Sequence, residues 1–182
     1  QIDVTPMANN DKMKAVFVDE SKSKEFALCA VFVDVNKVPR IRKELSSLRK
    51  KGQTSIHFVK ESASRKKTIL NVLRTMDIDV LFIVCGGERT EGLAREKCLR
   101  GLIQQLRAGQ AVQLVLELDE NHLARDKRVL TQELLRLSLS DQVGYLHAKS
   151  SQQQLLWLPD ALGWIRTRGG QWARRLSQFR VT

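Results

Sequence analysis

Residues 15–21 read Ala15-Val16-Phe17-Val18-Asp19-Glu20-Ser21, a short apolar run that ends in two acids. Branched and aromatic apolar residues in such a run favour a buried β-strand. We expect strands over residues 14–19 and 25–34, and the short polar connection between them predicts an antiparallel hairpin. Asp19 would then stand at the end of a buried strand, where an acid is either an ordinary loop or capping residue or a group that carries chemistry.

Strands and helices alternate along the rest of the chain. Helical spacing of apolar residues predicts a helix from Pro39 to Gly52, further helices near 62–76, 90–107 and 121–139, and a last helix from about Pro159. Short strands are expected over 55–59, 79–85, 112–118 and 143–147. A hairpin followed by this alternation predicts an α/β fold of the ribonuclease-H-like type. Its mixed sheet is antiparallel at the opening hairpin and parallel where helices cross over, with helices on both faces.

The length of the chain fits one compact domain. With 182 residues and 42% hydrophobic content, it can bury a sizeable core but is short for two domains. We expect a single domain over residues 13–182 that ends in an Arg-rich tail. Residues 1–12 are expected to be a disordered lead-in or a cloning remnant.

The charge balance points to a polyanionic partner. The chain has 31 Lys and Arg against 20 Asp and Glu, a formal charge of +11, which favours nucleic acid (RNA, DNA or a hybrid) over a small neutral metabolite. A generally basic soluble protein is the alternative, and a solvated face is the plain interpretation of the basic helix near residues 37–51. The candidate phosphate-binding residues are Arg42, Lys43, Lys50, Lys51, Arg166, Arg174 and Arg175.

Cysteine spacing and hydropathy exclude several classes. The three cysteines match no zinc motif, and their odd number in apolar stretches predicts reduced core thiols and a cytoplasmic location. The longest apolar runs, such as residues 80–85, are far too short to cross a bilayer, so no membrane partner is expected. Ser21 has no histidine at an activating spacing, and Gly86-Gly87 lacks the Lys-Ser/Thr of a P-loop.

Further acids follow apolar runs that resemble the one before Asp19. The strand expected over 112–118 leads into Glu117 and Asp119, which would share one face because side chains alternate along a strand. Asp160 follows the apolar run at residues 155–159. Hydrolysis of a phosphodiester benefits from two divalent cations about 4 Å apart, and Mg²⁺ or Mn²⁺ prefers carboxylate oxygens. The predicted metal ligands are therefore Asp19, Asp160 and either Glu117 or Asp119.

Two more residues are weaker catalytic candidates. Glu61 would lie in the first turn of a helix, either as a fourth ligand or as a partner of the helix dipole. His57 has apolar neighbours in the predicted 55–59 strand, and is either a hydrogen-bonded structural histidine or a group for proton transfer or phosphate contact.

Several of these stretches also carry a resemblance to a known family. They are Val-Phe-Val-Asp-Glu-Ser at 16–21, His57-Phe58 before a helix with Arg65, the acids at 117–120, and Leu-Trp-Leu-Pro-Asp-Ala-Leu at 156–162. Over about residues 14–170 they resemble a large family of mostly uncharacterised prokaryotic proteins of ribonuclease-H-like fold, with the last stretch closest to an actinobacterial-type branch. The resemblance implies a metal-dependent nuclease in which Asp19 and Asp160 match the first and last acids. The alternative function is a non-catalytic nucleic-acid-binding or protein-interaction module whose acids are structural.

Overall fold

A six-stranded mixed sheet forms the centre of the molecule. The computed structural model describes residues 13–22, 25–106 and 110–181, so the lead-in predicted for residues 1–12 lies outside the described residues. The strands run in the order β5-β4-β1-β2-β3-β6. They span Lys14–Lys22 (β1), Phe26–Asp34 (β2), Asp79–Cys85 (β3), Val112–Glu117 (β4), Val143–Ala148 (β5) and Arg180–Val181 (β6).

The strand directions confirm the predicted mixed sheet, which is antiparallel at its opening hairpin and parallel where helices cross over. β1 and β2 form an antiparallel hairpin, and β3 continues it on the far side of β2. β4 runs parallel to β1, and β5 runs parallel to β4. The short strand β6 was not predicted; it pairs with β3, and its Arg180 forms ion pairs with Asp77 and Asp79.

Helices cover both faces of the sheet, as predicted. They span Val38–Ser47 (α1), Ala63–Leu73 (α2), Glu91–Gln104 (α3), Leu123–Arg136 (α4), Trp157–Arg168 (α5) and Gly170–Ala173 (α6). Phe17 of β1 packs in one core with α1, α2 and α5, whereas its neighbours Val16 and Val18 pack in a second core with α3 and α4. Because both faces are buried, β1 is a nearly continuous apolar run rather than an alternating one.

Two sequence predictions near α1 and α2 are wrong in detail. The helix expected to reach Gly52 ends at Ser47, and Gly52 has a φ of 78° in the loop that follows. The strand expected over 55–59 is absent from the described chain, and Phe58–Lys60 forms a 3₁₀ turn instead. The Phe58 N–H donates to Asp160 Oδ2 at 2.9 Å, while the N–H groups of Lys60 and Glu61 donate within the turn, so this segment satisfies its amides without a sheet partner.

The structure also shows the state of the cysteines and the length and polarity of the helices. All three cysteines are buried free thiols in the part of the chain that the structure describes. None of the helices described here combines the length and apolar character needed to cross a membrane.

Candidate functional site

The neighbouring strands β1 and β4 and the start of α5 bring three of the predicted acids toward one another. Asp19 does not end its strand as predicted, because β1 stays paired with β2 as far as Lys22. Val18 of β1 is paired with Leu116 of β4, so Asp19 and Glu117 come next to each other along neighbouring parallel strands. Side chains alternate along a strand, so Asp19 lies on the same face as Phe17, which is the face that α5 covers. Asp160 lies in the first turn of α5.

Helix α5 lies directly against this part of the sheet at Gly163. A Cβ atom placed on Gly163 would lie 3.4 Å from Ser21 Cβ and 3.7 Å from Cys29 Cβ, which is ordinary contact distance. Ser21 Oγ also lies 3.4 Å from the Gly163 carbonyl oxygen. Asp160, one turn before Gly163, is thereby held toward β1.

Backbone amides fix all three carboxylates. Glu20 N–H donates to Asp19 Oδ1 at 2.7 Å, Phe58 N–H to Asp160 Oδ2 at 2.9 Å, and Ser150 N–H to Glu117 Oε1 at 3.1 Å. Among the described residues, no Lys or Arg forms an ion pair with Asp19, Glu117 or Asp160. The three half-buried acids therefore lack a direct protein counter-charge.

The environment of these acids favours their protonated forms. Burial raises the pKa of Asp19 well above its usual range, and the negative charges of Asp160 and Glu117 raise it further. Burial also raises the pKa of Glu117 and of Asp160, although the hydrogen bonds from the Ser150 and Phe58 amides work in the opposite direction. Carboxylates that raise one another's pKa are a favourable site for a divalent cation, because the cation removes their repulsion.

An open cleft of about 570 Å³ leads to this group. Asp19, Glu20, Glu117 and Asp119 line it, together with residues of the loops at 54–57 and 149–151. Asp160 is not among the lining residues, since its carboxylate faces the Phe58 amide. The cleft is large enough for a nucleotide-sized group.

Asp119 diverges from Glu117 and joins a different cluster. β4 ends at Glu117, so Asp119 lies in the turn before α4, where its Oδ1 accepts the Asn121 N–H at 2.9 Å. Within the described residues, Glu91, Asp119 and His122 are the one group of three potential ligands whose donor atoms all lie within 4.8 Å of one another. The Asp19, Glu117 and Asp160 group is therefore more widely spaced.

Glu61 and His57 occupy contrasting positions. The buried Glu61 carboxylate pairs with Lys50 at 3.0 Å and Arg65 at 3.7 Å, and accepts the Gln53 amide at 2.8 Å. Burial acts to raise the pKa of Glu61, but the hydrogen bonds from Gln53 and Lys50 outweigh it and the pKa is lowered. Glu61 is thus neutralised within the protein. His57 is exposed, lines the cleft, and its charge lowers the pKa of Asp160.

A buried charge network beside the cleft was missed from the sequence. Arg95 of α3 donates to both carboxylate oxygens of Asp126 at 2.8 Å, and it also binds Glu20. His147 Nε2 lies 3.1 Å from Asp126 Oδ2. Arg95 precedes the buried Leu99 by four residues on α3, so a charge on the apolar face of a predicted helix was the available signal.

The predicted phosphate-binding residues lie on the helical layer formed by α1, α2 and α5 and its C-terminal continuation. Lys50 is paired with Glu61, and the Arg166 guanidinium lies 5.5 Å from the centroid of the Phe82 ring. No acid forms an ion pair with the remaining five in the described chain, which are Arg42, Lys43, Lys51, Arg174 and Arg175.

Comparisons with known proteins find similarity only at the level of structure. No model of a known protein family matches the chain, and no curated protein matches its sequence at a significant level. Two crystal structures of Bst-RNase HIII, one of a single-residue mutant and one in complex with Mn²⁺, align with 12% sequence identity and TM-scores of 0.39 and 0.37. The alignments cover 91% and 88% of this chain but only 62% and 56% of those proteins. A likeness at this level says nothing about activity.

Proposed function

We propose that this protein is a metal-dependent nuclease that hydrolyses phosphodiester bonds in nucleic acid. The observation that carries the proposal is the convergence of Asp19, Glu117 and Asp160 at one end of the central strands, without a direct Lys or Arg partner in the described chain. Membership of the uncharacterised family with the same opening strand and late Leu-Pro-Asp-Ala helix is part of this proposal.

The donor set fits Mg²⁺ or Mn²⁺. These hard cations take carboxylate oxygens, and three mutually repelling carboxylates gain most from a divalent ion. Asp19, Glu117 and Asp160 would hold one ion. Asp119, which lines the cleft, offers a second place together with Glu91 and His122, where an ion would compete with Lys22 for Glu91. When bound, such ions polarise a phosphoryl oxygen and make water a stronger nucleophile.

The protein's own groups would orient the substrate and handle protons. The amides of Glu20, Phe58 and Ser150 hold the three carboxylates in fixed rotamers, so little ordering is left for the bound state. His57, exposed beside Asp160, is placed to give a proton to a leaving oxygen or to contact a phosphate. Glu61 is a structural residue in this scheme.

The proposed substrate is RNA, DNA or a hybrid of the two. Arg42, Lys43, Lys51, Arg166, Arg174 and Arg175 would contact the phosphate backbone without reading sequence. Lys50 contributes less, because Glu61 already neutralises it.

The test is Asp19→Asn compared with Asp141→Asn, an exposed acid in the turn before β5. With Mn²⁺ or Mg²⁺ we expect Asp19→Asn to cut a labelled oligonucleotide at least about 100-fold more slowly, since it removes a ligand and a charge from the centre of the site. Asp141→Asn should match the wild type. Mn²⁺ should raise the melting temperature of the wild type more than that of Asp19→Asn.

The possible outcomes separate the function classes. Undiminished cleavage by Asp19→Asn would rule out this residue as a ligand. Stabilisation by Mn²⁺ without any cleavage by the wild type would indicate a metal-binding protein that is not a nuclease. Oligonucleotide binding without either effect would favour the non-catalytic binding module.

A further inference from the structure

Charge is divided unevenly between the two helical layers of the molecule. Residues 35–74, which include α1 and α2, contain 12 Lys and Arg against two acids, and residues 157–180, which include α5, contain five against one. The segments of the opposite layer, 86–106 and 119–141, contain eight Lys and Arg and eight acids. The positive charge of the protein is thus concentrated on one face of the sheet.

Ion pairs increase this difference. On the α3 and α4 layer, five basic residues are bound to acids of the same layer: Arg95 to Asp126, Lys97 to Glu88, Arg100 to Glu96 and Glu133, Arg128 to Glu96, and Arg136 to Glu133. These contacts are internal to the layer, and in the described chain they leave three of its eight basic residues without an ion pair: Arg89, Arg125 and Lys127.

The layer of α1, α2 and α5 keeps most of its cations free of acids. In the part of the chain that the structure describes, eight of its exposed basic residues form no ion pair: Lys43, Arg49, Lys51, Lys60, Lys67, Arg74, Arg168 and Arg174. We call this layer, together with the loop at residues 49–60, the basic layer.

The basic layer borders the cleft. The loop at 49–60 carries Arg49, Lys51 and Lys60, and the same loop contributes Thr54, Ser55 and His57 to the lining of the cleft. The two basic residues that line the cleft itself are both ion-paired: Arg95 binds Asp126 and Glu20, and Lys149 is paired with Glu120 at 3.4 Å. The loop at 49–60 therefore brings unpaired positive charge beside the cleft.

We propose that the basic layer is the surface on which a nucleic-acid backbone lies, and that the strand enters the cleft across the loop at 49–60. The α3 and α4 layer stays out of contact. The proposal rests on the proposed function for the chemistry in the cleft, but it concerns where the substrate binds. A polyphosphate chain gains affinity by exchanging its counterions for unpaired side-chain cations, and the basic layer supplies these, three of them on the loop that borders the cleft.

An anionic membrane is the competing partner for a basic surface. Peripheral membrane binding needs apolar side chains that enter the lipid as well as cations. Among the residues that the structure describes, the exposed large hydrophobic ones are Val59, Val84, Leu93, Leu135 and Val181, and of these only Val59 lies in the basic layer. The surface therefore fits a phosphate backbone in water better than a bilayer.

The experiment compares two triple variants with the same change in charge. One carries Arg49→Gln, Lys51→Gln and Arg168→Gln in the basic layer, and the matched control carries Arg89→Gln, Lys127→Gln and Arg128→Gln on the other layer. All six positions are exposed. Binding of a fluorescein-labelled oligonucleotide, single-stranded and duplex, is titrated against salt in EDTA, so that cleavage plays no part.

We expect the slope of log Kd against log salt to become shallower by roughly two units in the basic-layer variant, at about 0.7 to 0.9 for each lost phosphate contact, and to stay unchanged in the control. Equal changes in the two variants, or none in either, would overturn the proposal. Stronger binding to phosphatidylserine vesicles than to either oligonucleotide would assign the surface to a membrane. Melting curves check folding, and the single variants Lys51→Gln and Lys127→Gln repeat the comparison if a triple variant is unstable.

This design also separates the two proposals. If the wild type never cleaves with Mn²⁺ but the slopes differ as expected, the nuclease proposal fails and the binding surface stands. If it cleaves and the two variants bind alike, the surface proposal fails alone.

Discussion

Lys66 is a buried lysine that forms no ion pair with an acid in the described chain, and it supports one of the proposed ligands. Its ammonium donates to the Val59 carbonyl oxygen at 3.0 Å and to the Glu61 carbonyl oxygen, and it lies 4.8 Å from the centroid of a Trp164 ring. Burial lowers the pKa of Lys66. These contacts tie the 3₁₀ turn at Phe58–Lys60 to α5, and this turn supplies the amide that binds Asp160.

The prediction for this residue compares Lys66→Met with Lys67→Met. Lys66→Met leaves two carbonyl groups without their donor, so we expect a loss of about 2 kcal/mol in the free energy of unfolding. Lys67 is exposed on the same helix, and its replacement should change stability by less than about 0.5 kcal/mol. Urea unfolding measures both. Similar losses for the two variants would show that other contacts hold the turn.

At the level of single residues, the sequence predicts the acids that follow apolar runs, but it does not predict the side chains that pair with an acid in the folded protein. Asp19 and Glu117 follow apolar runs, and parallel strands bring such positions together. Glu61 is an acid whose role the sequence does not reveal. Its charge is neutralised by Lys50, and this contact depends on a loop conformation that no local sequence pattern encodes.

Among the secondary structure elements, α3 is joined to both α4 and β1 through one side chain. Arg95 is almost fully buried, and it joins α3 to α4 through Asp126 and to β1 through Glu20, while His147 of β5 completes the network. Burial acts against the charge on Arg95, but the hydrogen bonds that Arg95 donates to Asp126 outweigh it and raise the pKa of the guanidinium. Glu20 lies next to Asp19, so the network also holds the end of β1.

Arg95→Met is expected to be strongly destabilising. The substitution keeps much of the side-chain volume but leaves the fully buried Asp126 without its cation, at a cost of about 3–5 kcal/mol. Lys97→Met on the same helix breaks only the exposed pair with Glu88 and should cost less than about 1 kcal/mol. The measurement is urea unfolding near neutral pH. A loss for Arg95→Met no larger than that for Lys97→Met would mean that Asp126 finds another partner or is protonated.

The elements that the sequence predicts well are those defined by burial alone. Five strands and five helices follow from apolar periodicity, because the two cores impose it on each element. The 3₁₀ turn at Phe58–Lys60 and the strand β6 were missed for a common reason. Each is fixed by a polar contact with a distant residue: Phe58 N–H with Asp160, and Arg180 with Asp77.

For the whole molecule, the titration of two sets of acids gives opposite contributions to stability. Asp19, Glu117 and Asp160 have raised pKa values, with burial as the main cause. Their contribution to stability is present below their ordinary pKa values and is lost as the pH rises through the raised ones. Hydrogen bonds from Arg136 outweigh burial and lower the pKa of Glu133 from 4.5 to about 2, so its contribution is lost as the pH falls through that range.

We therefore expect the metal-free protein to be more stable at mildly acidic pH than at neutral pH, before it loses stability in stronger acid. Asp19 has a strongly raised pKa, and its negative charge repels those of Glu117 and Asp160. Asp19→Asn removes this group, so stability should rise less between neutral and mildly acidic pH. Glu133→Gln should leave that rise intact and change only the acid limb. Urea unfolding in EDTA from about pH 2 to about pH 8 measures all three proteins. With Mn²⁺ the trend should reverse, because metal binding competes with protons for the same carboxylates and strengthens as the pH rises. The metal-free Asp19→Asn variant could instead gain as much unfolding free energy as the wild type between neutral and mildly acidic pH. That result would show that Asp19 does not repel Glu117 and Asp160, and the proposed metal centre would lose its physical basis.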